Sequence, residues 1–381
     1  MKTKDFRTKT EIIPRKNKKK DGAWVIGLDI GYSSVKTFSP NIVASFPAYA
    51  RRVDDDFKFI GENPESSIIY KDLKTGDMWL VGEIAQNTMI TGDTSDSENT
   101  LYGRDHYSSL MFDVIAKVGL GLGMLNNEFG PVNDDEIIVQ TGLPEKYLDD
   151  ADEITEVLAG DYNFSLKIAN NDEIKFSFTL PKENIFVMSQ PKGTLLSACV
   201  NKDGQFRSDA ETYLKSSVLV FDPGFGTLDL FAIVAGTVGK GETFADLGMK
   251  RVLQDTCRMI KSSYGVTVSV PEMQKYLENG YVKYFNKKTF ESKEKPFGAL
   301  LEEANKKVCE EAISRMMQSF NLMDFSYLIM TGGTGAAWLD IIRDKFKKLD
   351  TLQIINGNQN DNLPFIYNNV RGYYFYRVMK G

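Results

Sequence analysis

The segment Val25-Ile-Gly-Leu-Asp29-Ile-Gly31-Tyr-Ser-Ser-Val35-Lys36 decides how this chain folds. It begins as an apolar run typical of a strand, reaches Asp29, turns on Gly31 with two serines, and resumes as a second apolar strand. This pattern predicts a β-hairpin. The tip of such a hairpin can surround a phosphate, because glycine permits unusual backbone angles and close approach, and the free N–H groups point at oxygen.

A second segment repeats the pattern, with the sequence Val218-Leu-Val-Phe-Asp222-Pro-Gly224-Phe-Gly-Thr-Leu228-Asp229. Asp222 corresponds to Asp29, whereas Asp229 stands where the first copy has Lys36. One hairpin of this kind is a weak signal for a nucleotide site. Two copies in corresponding halves predict two facing domains that hold a nucleotide from both sides, with an aspartate from each near a metal ion.

A third motif runs from Tyr327 to Trp338, where an apolar strand leads through Thr331-Gly-Gly-Thr-Gly335 into a helix. The backbone can approach a flat or anionic ligand closely at such a turn, and the helix N-terminus favours phosphate or ribose oxygens. A tight structural turn between strand and helix is the alternative interpretation. The motif is not a Walker A loop, because no Gly-Lys-Ser/Thr follows it.

Length and composition limit the classes of protein. A chain of 381 residues is too long for one compact core, so we expect two or more domains. The single histidine, His106, makes histidine-based metal sites and Ser-His-Asp catalysis untenable as predictions. The three cysteines are widely spaced, and no apolar run approaches the roughly 20 residues that span a bilayer. We therefore expect a cytoplasmic protein without a membrane partner.

Positive charge is concentrated at the N-terminus. Residues 1–20 hold nine Lys and Arg against Asp5 and Glu11, although the whole chain carries a net charge of −6. Such an arm could contact DNA or an acidic neighbouring subunit. The sequence favours a flexible solubilising tail, since clustered like charges repel and resist burial. The folded part is then predicted to begin at Ala23–Trp24.

Hydrophobic periodicity predicts strands and helices that alternate in both halves, which indicates an α/β architecture. One short strand is predicted within Phe46–Arg52, and a polar turn around Gly236–Gly241. Long helices are predicted over Leu247–Ser262 and Phe297–Phe320. The last apolar segment, Tyr373–Val378, fits either a helix or a strand.

The order of hairpin, helix, hairpin and Gly-Gly turn resembles the superfamily of actin, Hsp70 and sugar-kinase ATPases. In this resemblance the two hairpins correspond to the phosphate 1 and phosphate 2 motifs, and Leu328–Ala337 to the adenosine motif. Asn184–Leu195 and Asn368–Tyr374 resemble the two connecting helices. Within this superfamily, the chain is most similar to bacterial ParM-type plasmid-segregation actins. The similarity rests on its length, on the segment Trp79–Ala85 and on the segment Val370–Tyr374 near the C-terminus.

The resemblance implies an α/β fold with two related actin-like (ribonuclease H-like) domains flanking a nucleotide cleft. A basic N-terminal arm, residues 1–22, would precede domain I, residues 23–200. Domain II would comprise residues 201–364, and residues 365–381 would return to domain I.

The resemblance also implies an ATPase that depends on Mg²⁺, with ATP or alternatively GTP as the nucleotide. Asp29 and Asp222 would act in catalysis and hold Mg²⁺ through its water shell, and Gln190 would position the attacking water. Each aspartate could instead cap a turn, and Gln190 could simply begin a helix. Pro191, which directly follows Gln190, departs from the family pattern and suggests that hydrolysis of the nucleotide is slow. The remaining nucleotide-binding residues would be Gly31, Tyr32, Ser33, Ser34, Lys36, Gly224, Phe225, Gly226, Thr227, Gly332, Gly333, Thr334 and Gly335.

Further carboxylates carry weaker signals. Glu83 is a second choice for an acidic residue near the site, although pairing within the first domain is favoured. Sugar kinases of the superfamily add a catalytic aspartate, and Asp93, Asp96 and Asp105 are available in a polar loop without a supporting pattern. No stretch of sequence remains for the peptide-binding domain of an Hsp70-type chaperone.

We therefore expect a filament-forming ATPase that polymerises with ATP, disassembles after hydrolysis and segregates plasmid DNA through a DNA-binding adaptor. Three alternatives to a filament-forming ATPase stay open. The chain could be a small-molecule kinase or a monomeric nucleotide-sensing regulator that uses the same cleft, or a nucleotide sensor that assembles without hydrolysing the nucleotide. Candidate surfaces for neighbouring subunits are the loop Thr91–Arg104, the insert Gly265–Lys295 and the basic arm. The insert could equally form a small packed lobe.

Overall fold

A computed structural model describes residues 2–88, 107, 109–125, 135–234, 237–286, 289–358 and 361–380 of the chain. The loop Thr91–Arg104 and the aspartates Asp93, Asp96 and Asp105 lie outside the described residues. None of the helices in the described ranges is both long and apolar enough to cross a membrane.

The first lobe contains two sheets. Its strands are β1 (Glu11–Pro14), β2 (Ala23–Ile30), β3 (Ser34–Phe38), β4 (Ile42–Pro47), β5 (Ala50–Val53), β6 (Ile68–Asp72), β7 (Met78–Val81), β8 (Glu136–Leu143), β9 (Gly160–Ile168), β10 (Ile174–Leu180) and β11 (Ile185–Ser189). The main sheet has the order β1-β4-β3-β2-β8-β11, and the second sheet has the order β10-β9-β6-β7-β5. The helices of this lobe are α1 (Glu83–Asn87), α2 (Leu110–Gly123) and α3 (Ala151–Leu158).

The second lobe has one main sheet and a small hairpin. Its strands are β12 (Val218–Pro223), β13 (Leu228–Val234), β14 (Thr237–Phe244), β15 (Tyr281–Asn286), β16 (Glu291–Pro296), β17 (Tyr327–Met330) and β18 (Gln353–Asn356). The main sheet has the order β14-β13-β12-β17-β18, while β15 pairs with β16. The helices of this lobe are α5 (Ala210–Lys215), α6 (Met249–Tyr264), α7 (Val270–Asn279), α8 (Gly298–Ser319) and α9 (Gly333–Phe346).

The two main sheets share one topology. In each, three strands form an antiparallel meander, β2-β3-β4 and β12-β13-β14, and two further strands add in parallel to the first. Strand β2 is buried along nearly its whole length, as expected for the centre of a sheet that is covered on both faces. The duplicated α/β architecture predicted from the two hairpins is therefore confirmed.

Two further helices, α4 (Gln190–Cys199) and α10 (Asn368–Met379), cross each other between the lobes. Gly193 of α4 and Gly372 of α10 make the close approach possible, since a Cβ on Gly372 would overlap the backbone of Gly193. Helix α10 also packs on β2 of the first lobe, so the chain returns to that lobe at its end. The segment Tyr373–Val378 is thus helical.

Three predictions at the level of secondary structure are wrong. The folded part does not begin at Ala23, because β1 already pairs with β4. The segment Phe46–Arg52 belongs to two strands, since the chain bends after Pro47 and β5 joins the second sheet. The residues after Gly236 continue as β14 rather than as a polar turn, because they pair with β13.

Candidate functional site

A cavity of about 500 Å³ lies between the two lobes. It is lined by both hairpins, by the beginning of α4 and by the glycine-rich turn before α9. Almost all of the predicted site residues line it, namely Asp29, Gly31, Tyr32, Ser33, Ser34, Lys36, Gln190, Asp222, Gly224, Phe225, Gly226, Thr227, Gly332, Gly333 and Thr334. Gly335 is the exception, because it lies within α9 facing the Pro223 ring.

The two hairpin tips are built alike. In the first, the N–H of Gly31 donates a 3.0 Å hydrogen bond to the carbonyl of Ser34, and in the second the N–H of Gly224 donates a 2.8 Å bond to Thr227. The tips also approach each other across the cavity, since a Cβ on Gly226 would lie only 3.0 Å from Cδ2 of Tyr32. Equivalent loops from the two lobes therefore face one another over the same space.

Asp29 is a buried carboxylate at the turn of the first hairpin. Its cross-strand partner is Lys36, and Nζ of Lys36 lies 3.1 Å from Oδ2 of Asp29. The side-chain amide of Gln190 donates a hydrogen bond of 3.4 Å to Oδ1 of the same aspartate. One carboxylate thus orients both the cation of the hairpin and the glutamine at the start of α4.

Asp222 is the equivalent carboxylate of the second hairpin. Nδ2 of Asn369, in the first turn of α10, donates a 2.7 Å hydrogen bond to its Oδ2. Burial raises the pKa of Asp222 to about 7, and the neighbouring carboxylates of Asp229 and Asp29 act in the same direction. A cation bound beside Asp222 would favour the ionised carboxylate.

Asp229 takes the place of Lys36 in the second hairpin. Thr227 and Thr243 donate hydrogen bonds of 2.9 Å and 2.5 Å to its two carboxylate oxygens. Burial still raises the pKa of Asp229 to about 6, because the two hydrogen bonds offset only part of the desolvation. This aspartate is held within its own lobe, and the second hairpin thus carries a carboxylate where the first carries the ammonium of Lys36.

The donor set of Asp29 and Asp222 fits a hydrated Mg²⁺ ion. Mg²⁺ commonly keeps several waters and uses only one or two carboxylates. Within the described ranges, no group of three or more His, Cys, Asp and Glu side chains could hold a metal ion. A direct multi-carboxylate cage is therefore not found in this part of the chain, while an ion held largely through water remains compatible with the two aspartates.

The glycine-rich turn forms the third wall of the cavity. Gly332 has φ of +72°, a region that favours glycine, and a Cβ at this position would lie 2.7 Å from Oδ1 of Asp222. The hydroxyl of Thr334 donates a 2.8 Å hydrogen bond to the carbonyl of Gly224. This turn is thereby fixed against the second hairpin, and the N-terminus of α9 begins beside it.

Some residues around the cavity were not predicted. Asn369 is one, although it falls within the segment assigned to the second connecting helix, and residues 4–9 of the N-terminal arm are others. An asparagine at a helix start carries little signal by itself, and the arm is predicted as a solvated tail. Glu83 does not line the cavity but forms an ion pair with Arg7.

Comparisons with known proteins agree with the fold of this chain. The family described as "Actin like proteins N terminal domain" matches residues 27–193. No curated protein matches the chain. A solved pCBH ParM non-polymerisable quadruple mutant is 19% identical with a TM-score of 0.71, covering 93% of this chain and 99% of that one.

Other solved structures are similar over nearly the same length. A 15-stranded ParM filament from Clostridium botulinum is 17% identical, with a TM-score of 0.69 and coverage of 93% of this chain and 98% of that one. An archaeal actin homologue in complex with ADP is 15% identical, with a TM-score of 0.58 and coverage of 92% and 97%. Residues 27–193 therefore match the N-terminal domain of actin-like proteins, and the overall fold of the chain is similar to that of the ParM structures.

Proposed function

We propose that this chain is an ATPase that binds ATP with Mg²⁺ in the cleft between its lobes and hydrolyses it slowly to ADP and phosphate. One observation supports this most strongly. Asp29 and Asp222 come from equivalent turns of two equivalent hairpins, and both line the cavity that Gln190 also lines. The structure of the archaeal actin homologue in complex with ADP supports a nucleotide as the ligand of the cleft.

The hairpin tips would hold the phosphates through backbone N–H groups, and Lys36 would add a positive charge. Mg²⁺ would neutralise charge on the phosphates, and Asp29 and Asp222 would hold it through its waters. The glycine-rich turn at Gly332 would accept the nucleoside. GTP is the alternative nucleotide, because neither the hairpins nor this turn distinguishes the two bases.

Gln190 would orient the attacking water. An amide is too weak a base to remove a proton, so its contribution is to position the water in line with the terminal phosphate. With its Nε2 bonded to Asp29, its Oε1 is the atom that would accept a hydrogen bond from that water. Pro191 follows immediately and limits how far this part of α4 can adjust, which is consistent with slow turnover.

ATP binding would drive head-to-tail assembly, and hydrolysis would weaken the subunit contacts. Contacts of this kind are heterologous and do not close, so they generate filaments. The ParM filament from Clostridium botulinum supports self-assembly as the use of this fold. We propose that the filament acts in the cytoplasm and segregates plasmid DNA through a DNA-binding adaptor. In this proposal, residues 23–200 and 365–381 form domain I of each subunit, and residues 201–364 form domain II.

Right-angle light scattering tests this function. Purified protein at tens of micromolar would be mixed with Mg²⁺ and ATP, ADP or a non-hydrolysable ATP analogue, with electron microscopy of the same samples. We expect scattering to rise with ATP, to decay as phosphate appears, and to persist with the analogue. A flat trace despite clear nucleotide binding would remove the filament and point to a phosphoryl acceptor.

A further inference from the structure

The N-terminal arm is anchored on the first lobe. Strand β1 pairs with the edge of the main sheet, with Glu11 opposite Ser45 and Pro14 opposite Ile42. Just before it, the backbone N–H of Thr10 donates a 3.3 Å hydrogen bond to Glu83 Oε2, and the Thr10 hydroxyl accepts one of 3.4 Å from the backbone N–H of Glu83. These contacts fix residues 10–14 to the first lobe.

The beginning of the same arm is anchored on the second lobe. Phe6 is only 8% exposed and belongs to a hydrophobic core whose other members all lie between residues 219 and 352. Thr3 packs at the end of α7, where a Cβ on Gly280 would lie 3.0 Å from its hydroxyl. The chain therefore crosses from one lobe to the other between Phe6 and Thr10.

Arg7 lies at the crossing and contacts both lobes. Its guanidinium donates a 3.0 Å hydrogen bond to Glu278 of α7, and it also donates one of 2.7 Å to Asn87 of α1. Glu83 of α1 lies 3.5 Å away as a second carboxylate partner. The Arg7 side chain is only 4% exposed, so these charge contacts are screened less by solvent than a surface ion pair is.

The crossing covers one side of the cavity between the lobes. Residues 4–9 line this cavity together with Gln274 of α7. Gln274 is buried, and its Oε1 has no hydrogen-bond partner among the described residues. A polar atom of this kind is suited to a ligand that enters beneath the arm.

We propose that residues 3–14 form a strap across the mouth of the nucleotide cleft and that Phe6 and Arg7 are positioning residues which control nucleotide release. This inference rests on the proposed nucleotide site. Opening of the cleft separates the lobes, so the strap must detach from one of them. The β1 pairing and the Thr10–Glu83 contacts hold the first-lobe end, and Phe6 must therefore leave the core of the second lobe before nucleotide can exit.

Substitution of Phe6 tests the strap. Release of ADP carrying a fluorescent methylanthraniloyl group would be followed by stopped flow after a chase with unlabelled ATP. We expect Phe6→Ala to release the labelled ADP about tenfold faster or more, since it lacks the buried ring that holds the strap closed. Phe320→Ala is the matched control, because Phe320 belongs to the same core with 7% exposure and does not line the cavity.

The control should destabilise the second lobe while leaving the release rate within about twofold of the wild type, as expected for a site that does not touch the strap. Glu278→Gln provides a milder second variant that removes one charge partner of Arg7 and keeps the core intact. We expect this variant to release labelled ADP faster than the wild type, as Phe6→Ala does. If Phe6→Ala and Glu278→Gln both bind labelled ADP normally and release it at the wild-type rate, the strap is wrong while the proposed nucleotide site stands. Wild-type protein that binds no labelled ADP would overturn the proposed nucleotide site as well.

Discussion

The side-chain amide of Gln190 donates a 3.4 Å hydrogen bond to Oδ1 of Asp29, which joins the first residue of α4 to the turn of the first hairpin. This contact holds the glutamine at the cavity, and Oε1 of its amide is the atom that would accept a hydrogen bond from a water. We expect Gln190→Ala to lower phosphate release about 10- to 100-fold while nucleotide affinity is kept, and to lengthen the life of any polymer. Phosphate release and light scattering on one sample measure both effects.

Gln205→Ala serves as the control, because Gln205 is exposed and lies away from the cavity. If Gln190→Ala hydrolyses ATP at the wild-type rate, the role of Gln190 as the residue that positions water is wrong. A loss of nucleotide binding in the same variant would instead assign it to ligand affinity.

Asp222→Asn should weaken binding of nucleotide in the presence of Mg²⁺. The variant keeps the shape of the side chain near Asn369 but removes the negative charge that a hydrated cation requires. We expect the dissociation constant for ATP to rise about tenfold or more with Mg²⁺, and to change little when EDTA is present. Titration calorimetry with and without EDTA measures this difference, and Asp340→Asn on the exposed side of α9 is the control.

Gly332→Ala should disturb the second hairpin without touching its sequence. A side chain at φ of +72° is strained, and the new Cβ would meet Asp222 at 2.7 Å. We expect the free energy of unfolding to fall by about 1–3 kcal/mol, accompanied by weaker nucleotide binding. Gly335→Ala is the matched comparison, since its Cβ would lie 3.6 Å from the Pro223 ring, an ordinary contact. Equal stabilities of the two variants in urea would show that the turn does not constrain Gly332.

Arg371 of α10 ties the two connecting helices to the chain that enters the second lobe. It is fully buried, pairs with Asp361 at 2.7 Å, and donates to the carbonyls of Ser197 and Asn201 at 2.7 Å and 2.8 Å. We expect Arg371→Met to destabilise the protein by about 3–5 kcal/mol, because the buried Asp361 carboxylate keeps only Arg15 as a charge partner and the carbonyls of Ser197 and Asn201 lose their donor.

Arg371→Lys should also be destabilising, since an ammonium cannot reproduce the planar set of donors. Recovery of stability in Arg371→Met combined with Asp361→Asn would identify the weakened pairing of the buried Asp361 carboxylate as the cause. Urea unfolding of the three variants provides the measurement, and full stability of Arg371→Met alone would contradict the assignment.

Asp229 gives the stability of the nucleotide-free protein a dependence on pH. Burial raises its pKa in the folded state to about 6 from the ordinary value of 3.8. The protonated form is thus favoured by folding, and the stability that it contributes is present below about pH 4 and is lost as pH rises through about 6. Asp229→Asn removes this loss, because an asparagine can accept from one threonine and donate to the other.

We therefore expect Asp229→Asn to be more stable than the wild type at pH 7.5 by on the order of 1–3 kcal/mol, with a smaller difference at pH 4.5. Urea unfolding at the two pH values without Mg²⁺ measures the change. A stability difference that is the same at both values would show that Asp229 does not titrate between them.

Sequence alone predicted the features that depend on local chemistry. The hairpins at Asp29 and Asp222 are confirmed as strand–turn–strand units, because glycine turns between apolar runs are encoded within about a dozen residues. Their repetition also predicted two related α/β domains, and the shared topology of the two main sheets agrees with this. The roles of Gln190 and the two aspartates in catalysis stay predictions, although the structure brings them to one cavity.

Contacts between distant segments were decided only by the tertiary structure. The segment Tyr373–Val378 is apolar with both helical and strand spacing, and its burial against α4 and β2 selects the helix. The N-terminal arm has the charge of a solvated tail, yet Phe6 enters a core formed by residues between 219 and 352, and β1 completes the edge of a sheet. The pattern of like charges shows only that the residues of the arm repel one another. Burial of Phe6 and pairing of β1 stabilise the arm, but they need surfaces that exist only after the two lobes have folded.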